Sequence, residues 1–409
     1  MGKSASFFIV DDDRTSIEVL YRLLTSAGHV VHTAASSVDA LAEIQKIKPD
    51  CVICDLVMPG QDGFELLRQI RQLQACKQPK FIIVSSKSFD YDKRKAFALG
   101  ADGYMIKPIN PETFVNEVTE IVADKMTARF FGVRGTLPAP GRLTARYGGH
   151  TNCVMLAIAK KHIFIFDAGT AIKALSDYFL SEKMCPLSAK IFITHPHYDH
   201  INGIPFFAPL YMKGNEFEFL GPNHQDISIN DLIGKQMDSV YFPVTMKEFA
   251  STISFRSLDE GNHDVDGVNV QALLLNHPGK CLGYRVVYGG KSFSYITDNE
   301  LVLESASGYN PFDVARLVEF IRGTDMLVID ATYTDAEYAN KVGWGHSCLS
   351  RVADVAHLAG VKLLCLHHHD PSQVDKDIDE KVKVVRDILK SLKSKTKCIA
   401  PKEGDGIIV

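Results

Sequence analysis

Through the first 123 residues, short apolar runs alternate with amphipathic stretches. The run SFFIV (6–10) precedes a stretch in which Ile17, Leu20, Leu23 and Leu24 share a helical face, closed by Gly28 as a C-terminal cap. HVVHTA then leads to SSVDALAEIQKI, DCVICDL to DGFELLRQIRQL, KFIIVSS to a helix ending FALGA, and GYMIK to PETFVNEVTEIVA. Five strands, each followed by a helix, predict an α/β domain with a doubly wound, five-stranded parallel sheet over residues 1–123. Ligands of such sheets bind beyond the carboxyl ends of the strands.

After a polar join, DKMTA (124–128), the pattern over 129–409 changes to strands rich in glycine and turn residues. RFFGVRG, NCVMLAIA and HIFIFDAGT read as strands, AIKALSDYFL as a helix, and AKIFITHPHYDH as a strand running into clustered histidines. Residues 205–265 read as a long, less regular segment. NVQALLLNHPGK, LGYRVVYGGKSFSYITDNE and MLVIDATY follow, then a helix from Ser350 to Ala359, a last strand in VKLLCLHHHDPS and a charged helix. Two mixed sheets between outer helices, an αββα sandwich, are the most economical layout.

Composition narrows the setting. A chain of 409 residues predicts two or three domains, and 46% hydrophobic with 23% charged residues is the balance of a soluble globular protein. The formal net charge of −4 gives no general pull toward nucleic acid or anionic membrane. No apolar stretch is long enough to span a bilayer, and the N-terminus lacks a signal-peptide pattern. Nine scattered cysteines fit a reducing cytoplasm. Cys51 and Cys54 in CVIC lie three apart in a strand, so they face opposite sides and fill core.

The predicted strand ends of the first domain carry its polar residues: Asp11, Asp12 and Asp13, then Asp55, then Ser85 and Ser86, then Lys107. Convergent carboxylates repel one another unless a hard cation stands between them, and Mg²⁺ with oxygen ligands fits. A lysine and a hydroxyl opposite that cation suit a phosphoryl group, transferred to a carboxylate. Alternatively, Asp13 caps the first helix and the other carboxylates are solvated strand ends. IVDDD, DLVMPGQDG, IIVSS and GADGYMIKP together resemble the receiver domain of response regulators, a flavodoxin-like fold, over the whole of this region. The resemblance implies Asp55 as phosphoacceptor, Asp11, Asp12 and Asp55 around Mg²⁺, and Ser85, Tyr104 and Lys107 as switch residues. It also implies a cis Lys107–Pro108 bond and a histidine kinase as phosphodonor.

In the second domain, ITHPHYDHINGIP places His195, His197, Asp199 and His200 at a strand mouth. In extended chain His195 and His197 project to one side and can reach one ion, with Asp199 and His200 offset toward a second. Other candidates at strand or loop ends are Asp167, His277, Asp298, His346 and the HHHD run at 367–370. FFGVRGTLPAP, RYGGHTNCV, FDAGT, THPHYDHINGIPFF, NHPGKCLGYR, ITDNE, GHS and HHDP resemble, in order, the metallo-β-lactamase-fold hydrolases. The likeness is greatest to the branch holding ribonuclease Z and the cyclic-phosphate and cyclic-nucleotide phosphodiesterases. It implies one metal on His195, His197 and His277, and a second on Asp199, His200 and a last-strand histidine, with Asp298 bridging. His368 aligns best as that histidine, with His367 and His369 as alternatives. Asp167 would orient ligands, and Asp199 and His346 are the catalytic candidates, His346 as acid or phosphate binder. GWGHS can also be read as a plain turn with Trp344 packed beneath it. Relatives commonly read GGNTS where this chain has His150 and Asn152 in GGHTN, a change that bears on substrate identity.

Two metal ions of this kind suit Zn²⁺, with Mn²⁺ or Fe as alternatives, and phosphodiester hydrolysis. An exported lactamase disagrees with the cytoplasmic character. A flavodiiron-type protein would carry a glutamate where His197 stands, and no basic tRNA-gripping arm or helix-turn-helix is present. The expectation is a response regulator whose output hydrolyses a small or flexible phosphodiester, such as a cyclic nucleotide, a cyclic phosphate or a short oligonucleotide. The alternative is a phosphorylation-gated binding module with a structural metal. Neither membrane nor stable DNA binding is expected. Receivers often dimerise through the face bearing Tyr104, and hydrolases of this branch often dimerise too, so a homodimer is a further expectation.

Overall fold

The computed structural model describes residues 4–73, 78–240, 242–304 and 308–409. They form two compact units, one reaching Lys125 and including Ile158–Lys161, the other comprising Met126–Ala157 and His162–Val409.

In the first unit, β1 (Ser6–Val10), β2 (Val30–Ala34), β3 (Cys51–Asp55), β4 (Lys80–Ser85) and β5 (Gly103–Ile106) form one parallel sheet in the order β2-β1-β3-β4-β5. Alternation sorts the strand side chains into two cores. Phe8, Val10, Val52, Cys54, Phe81 and Ile83 pack on one face, and Phe7, Ile9, Cys51, Ile53, Ile82 and Val84 on the other. The two cysteines of CVIC therefore belong to opposite cores, as strand geometry requires. A sheet covered on both faces leaves only its strand ends for polar chemistry.

The second unit holds β6 (Met126–Gly132), β7 (Cys153–Ile158), β8 (His162–Phe166), β9 (Ser188–Phe192), β10 (Glu216–Gly221), β11 (Thr252–Ser257), β12 (Gly261–Val265), β13 (Val268–Leu274), β14 (Leu282–Tyr288), β15 (Lys291–Ile296), β16 (Met326–Asp330), β17 (Leu363–His367), β18 (Lys397–Ile399) and β19 (Gly406–Ile408). They form two seven-stranded sheets, in the orders β11-β10-β9-β8-β7-β6-β19 and β12-β13-β14-β15-β16-β17-β18. The second sheet is antiparallel from β12 to β15 and parallel from β15 to β18. Phe166 and Phe192 of one sheet meet Tyr284, Phe293 and Tyr295 of the other at ring-centroid distances of 5.2–5.3 Å. This fully buried aromatic layer joins the sheets and fixes their strand ends against each other.

Three readings of the pattern change. The strand expected at 129 begins at Met126, because Met126 and Ala128 are buried and continue the alternation. The segment read as irregular contains β10, whose EFEFLG alternates as a strand should, together with β11 and the helix Ile229–Gln236. The chain also ends on a strand, β19, paired antiparallel with β6, a pairing across more than 270 residues that no local pattern signals.

Candidate functional site

In the first unit, Asp11 is buried behind β1, and Asp11, Asp12 and Asp55 bring carboxylate oxygens within 4.8 Å of one another. Asp13 stands apart: its side chain caps the helix Arg14–Ser26 by accepting from the Thr15 and Ser16 amides. Lys107 Nζ donates to Asp11 Oδ2 and Asp55 Oδ2, each at 2.8 Å, so one cation offsets two of the three carboxylates. Burial raises the Asp11 carboxyl above its ordinary range even against Lys107. Ser85 is fully buried at the end of β4, Tyr104 donates to the Lys87 carbonyl, and the Lys107–Pro108 bond is cis.

In the second unit the histidines and carboxylates come from strand ends of both sheets. His195 follows β9, and Asp199 and His200 lie on the one-turn helix Tyr198–Ile201. Asp298 follows β15, Asp330 ends β16 and His368 follows β17. Asp167, Asp298 and His368 have φ of 59°, 49° and 58°, so each turns sharply out of its strand through the left-handed region. At His368 the turn breaks strand alternation. His367 donates through Nε2 to the Gly132 carbonyl and His369 pairs with Lys381, while His368 alone of the three enters the cluster.

The donor atoms form two groups. His195 Nε2 lies 2.8 Å from His197 Nδ1, which lies 3.2 Å from His277 Nε2, and Asp298 Oδ2 is 3.7 and 3.8 Å from His195 and His277. In the second, Asp199 Oδ2 is 3.1 Å from His200 Nε2 and 3.2 Å from His368 Nε2, and Asp298 Oδ1 is 3.2 and 3.0 Å from the same two nitrogens. Ligand atoms around a tetrahedral ion with bonds of about 2.1 Å stand roughly 3.4 Å apart, so both groups have the spacing of a divalent-ion site.

Proton placement agrees. His200 Nδ1 donates to Asp167 Oδ2 (2.8 Å), His277 Nδ1 to the Gly345 carbonyl (2.9 Å), and His195 and His368 point Nδ1 at Thr194 and Thr332 hydroxyls (both 3.1 Å). Each Nε2 then turns its lone pair inward, and those of His200 and His368 face carboxylate oxygens. Two acceptors at 3 Å require positive charge between them. Asp199, Asp298 and Asp167 draw positive charge to this place strongly enough to hold His200 itself well above the ordinary histidine range, against the pull of burial. A cation seated there would take over that role and free the Nε2 lone pair. Burial together with neighbouring histidines holds His195 and His197 low, as neutral donors, and burial likewise lowers His277.

Beside this cluster, His346 Nδ1 meets Asp330 Oδ2 at 2.8 Å, and the His346 ring stacks on His368 at 4.9 Å. Against burial, Asp330 pushes His346 up to about 9. Trp344 does not pack beneath the GWGHS turn; it stands 60% exposed. Several contributors carry no motif signal. Thr194 donates to Asp167, the Thr136 amide to Asp199 Oδ2 (2.8 Å), and Asp330 differs from any other strand-end aspartate only through its distant partner. Asn152, from the altered GGHTN, is fully buried with Nδ2 3.2 Å from Asp199 Oδ2 and 3.1 Å from His200 Nε2. His150, its neighbour in that loop, is exposed.

Comparison with known proteins places both units. Residues 7–119 match the response regulator receiver domain, and residues 162–369 match the β-lactamase superfamily domain. The first part is 34% identical over 119 residues to protein PilH of Pseudomonas aeruginosa, covering 29% of this chain and 98% of PilH. Transcriptional regulators are also matched, over less than half of their own length. The second part is 26% identical over 306 aligned residues to ribonuclease Z of Lactococcus lactis, covering 64% of this chain and 95% of that enzyme. Among solved structures, the metallo-β-lactamase-fold protein YhfI of Bacillus subtilis superposes with a TM-score of 0.50 at 16% identity, over 70% of this chain and all of YhfI.

Proposed function

Because the chain belongs to the β-lactamase superfamily and carries a response regulator receiver domain ahead of that fold, we propose that it is a response regulator whose output is a two-metal phosphodiesterase. The observation that carries the reading is the Asp298 carboxylate, which offers Oδ2 to one donor group and Oδ1 to the other. His195, His197 and His277 would hold one divalent ion and Asp199, His200 and His368 the second, with Asp298 between them. Nitrogen-rich ligation with two carboxylates favours Zn²⁺, with Mn²⁺ or Fe as alternatives. Ions bound there would polarise a phosphoryl oxygen and lower the pKa of a water toward neutrality.

The chain's own groups supply the rest. Asp330 accepts from His346 Nδ1, so the second proton of the charged ring sits on Nε2, ready for a leaving-group oxygen. Asp199, fixed by the Thr136 amide and Asn152, keeps one carboxylate oxygen trained on the second donor group. Similarity to ribonuclease Z supports phosphodiester chemistry, and the acidic net charge favours a small or flexible substrate over a large polyanion. In the receiver, Asp55 would take the phosphoryl group from a histidine kinase, with Mg²⁺ on Asp11, Asp12 and Asp55 and Lys107 opposite. Only residues 123–125 separate the helix Pro111–Val122 from β6, which favours control of the hydrolase by the receiver's state.

The test is the initial rate of bis(p-nitrophenyl) phosphate hydrolysis by Zn²⁺- or Mn²⁺-loaded full chain, with and without beryllofluoride. Chelator-sensitive turnover that changes with beryllofluoride is expected, as is its loss in a folded Asp298→Ala variant. Turnover unaffected by Asp298→Ala would show that hydrolysis does not take place at these donor groups, and no turnover on phosphodiesters would point instead to a binding output.

A further inference from the structure

The ITDNE segment supplies Asp298, yet its last residue, Glu300, is also almost fully buried and touches none of the donor atoms. Its carboxylate is spent on the loop that carries His346. Oε1 accepts from the Gly343 amide and the Tyr338 hydroxyl, each at 2.7 Å, and Oε2 accepts from the Gly345 amide at 2.8 Å. Gly345 in turn accepts from His277 Nδ1 through its carbonyl and precedes His346 directly. It has φ of 84°, and a Cβ there would lie 2.4 Å from His277 Nδ1, so no other residue permits this approach.

One carboxylate thus clamps a loop in left-handed backbone at both of its positive-φ glycines, Gly343 and Gly345. A buried carboxylate with three donors is a strong, directional anchor. Chain continuity from Asp298 through Asn299 to Glu300 ties that anchor to the carboxylate shared by the two donor groups.

Resting on the phosphodiesterase reading, we propose that Glu300 is the positioning residue that holds the His346 loop over the metal centre, so that the leaving group meets its proton donor. Glu300 does not touch substrate or reacting atoms. It acts through Gly345, setting both the ring of His277 and the approach of His346.

The experiment uses the metal-loaded full chain and Glu300→Gln, which keeps the shape but sets an N–H group against a loop amide. Two substrates separate positioning from bulk damage: bis(p-nitrophenyl) phosphate, whose leaving group departs without a proton, and diphenyl phosphate, whose leaving group needs one. The diphenyl phosphate rate is expected to fall at least tenfold further than the bis(p-nitrophenyl) phosphate rate. Hydrogen exchange of the 341–348 peptide is expected to quicken at least tenfold, with the β-strand peptides unchanged. Equal losses on both substrates, or unaltered exchange, would overturn the proposal. If Glu300→Gln does not fold, Tyr338→Phe removes one of the three bonds and is expected to shift both readouts less, in the same direction. Wild-type protein inactive on both esters would defeat the phosphodiesterase reading, while exchange would still decide whether Glu300 holds the loop.

Discussion

Asp330 Oδ2 and His346 Nδ1 meet at 2.8 Å, with the carboxylate fully buried and the ring nearly so. The two lie 16 residues apart, one at the end of β16 and the other in the GWGHS turn, and their contact decides which nitrogen of His346 faces outward. Asp330→Asn leaves the geometry nearly intact but removes the charge that keeps the ring protonated. Hydrolysis of diphenyl phosphate is expected to fall by about 10²–10⁴-fold in Asp330→Asn and in His346→Ala. The double variant should fall no further than the worse single one. Additive losses would show that the pair does not act as a unit.

Asp167 offers a second test, because it contacts only the far side of the cluster. It accepts from His200 Nδ1 and from Thr194, and Tyr295 of the aromatic layer donates to it at 3.2 Å. Asp167→Asn is expected to weaken metal binding by about 10–100-fold, the usual cost of losing such a partner. Chelator competition against Zn²⁺ measures it, and unchanged affinity would show that His200 needs no such anchor.

Lys381 makes stability depend on pH. It is fully buried, donating to the Thr332 carbonyl, the Gln373 amide oxygen and His369 Nδ1, with Arg134 close by and Glu337, Asp330 and Asp370 around it. Burial pulls its ammonium down to about 7 from the ordinary 10.5. Between those values the unfolded chain binds the extra proton, so stability rises with pH across that window and is lowest below it. One proton contributes at most about 1.4 kcal/mol per pH unit. Denaturant unfolding of the full chain from pH 6.5 to 10 should therefore climb more steeply for wild type than for Lys381→Met. Parallel curves would mean that Lys381 stays charged.

Lys107 competes with the cation its neighbours would bind. Removing it in Lys107→Ala leaves Asp11 and Asp55 without a positive partner, so Mg²⁺ affinity is expected to rise by roughly three- to tenfold, ~1 kcal/mol of lost opposition. The response of turnover to beryllofluoride should disappear in the same variant, as in Asp55→Ala. Calorimetry with Mg²⁺ checks the first, and weaker binding would contradict it.

Local pattern carried much of this. Alternation in the receiver strands, the two faces of CVIC and the His-x-His-x-Asp-His run each follow from spacing within a few residues. What escaped depends on long separations or on broken periodicity. Glu300 and Gly345, Asp330 and His346, and the pairing of β19 with β6 are contacts that only the assembled sheets create. The HHHD run was ambiguous for a different reason. Strict alternation sends His367 and His369 one way and His368 the other, and only the left-handed turn at His368 decides which side meets the donors.

That turn, repeated at Asp167 and Asp298, bears on how such a chain can diversify. Left-handed backbone admits glycine, asparagine and aspartate readily and excludes β-branched residues. Glycine brings no side-chain ligand and asparagine a weaker one, so random mutation at these three sites meets almost only dead ends. Leu137, Tyr198 and Trp344 flank site residues in sequence, are more than half exposed and bear no such backbone constraint. Selection acting on this chain would therefore alter these exposed neighbours far more freely than the three strand-end turns that carry the donor atoms.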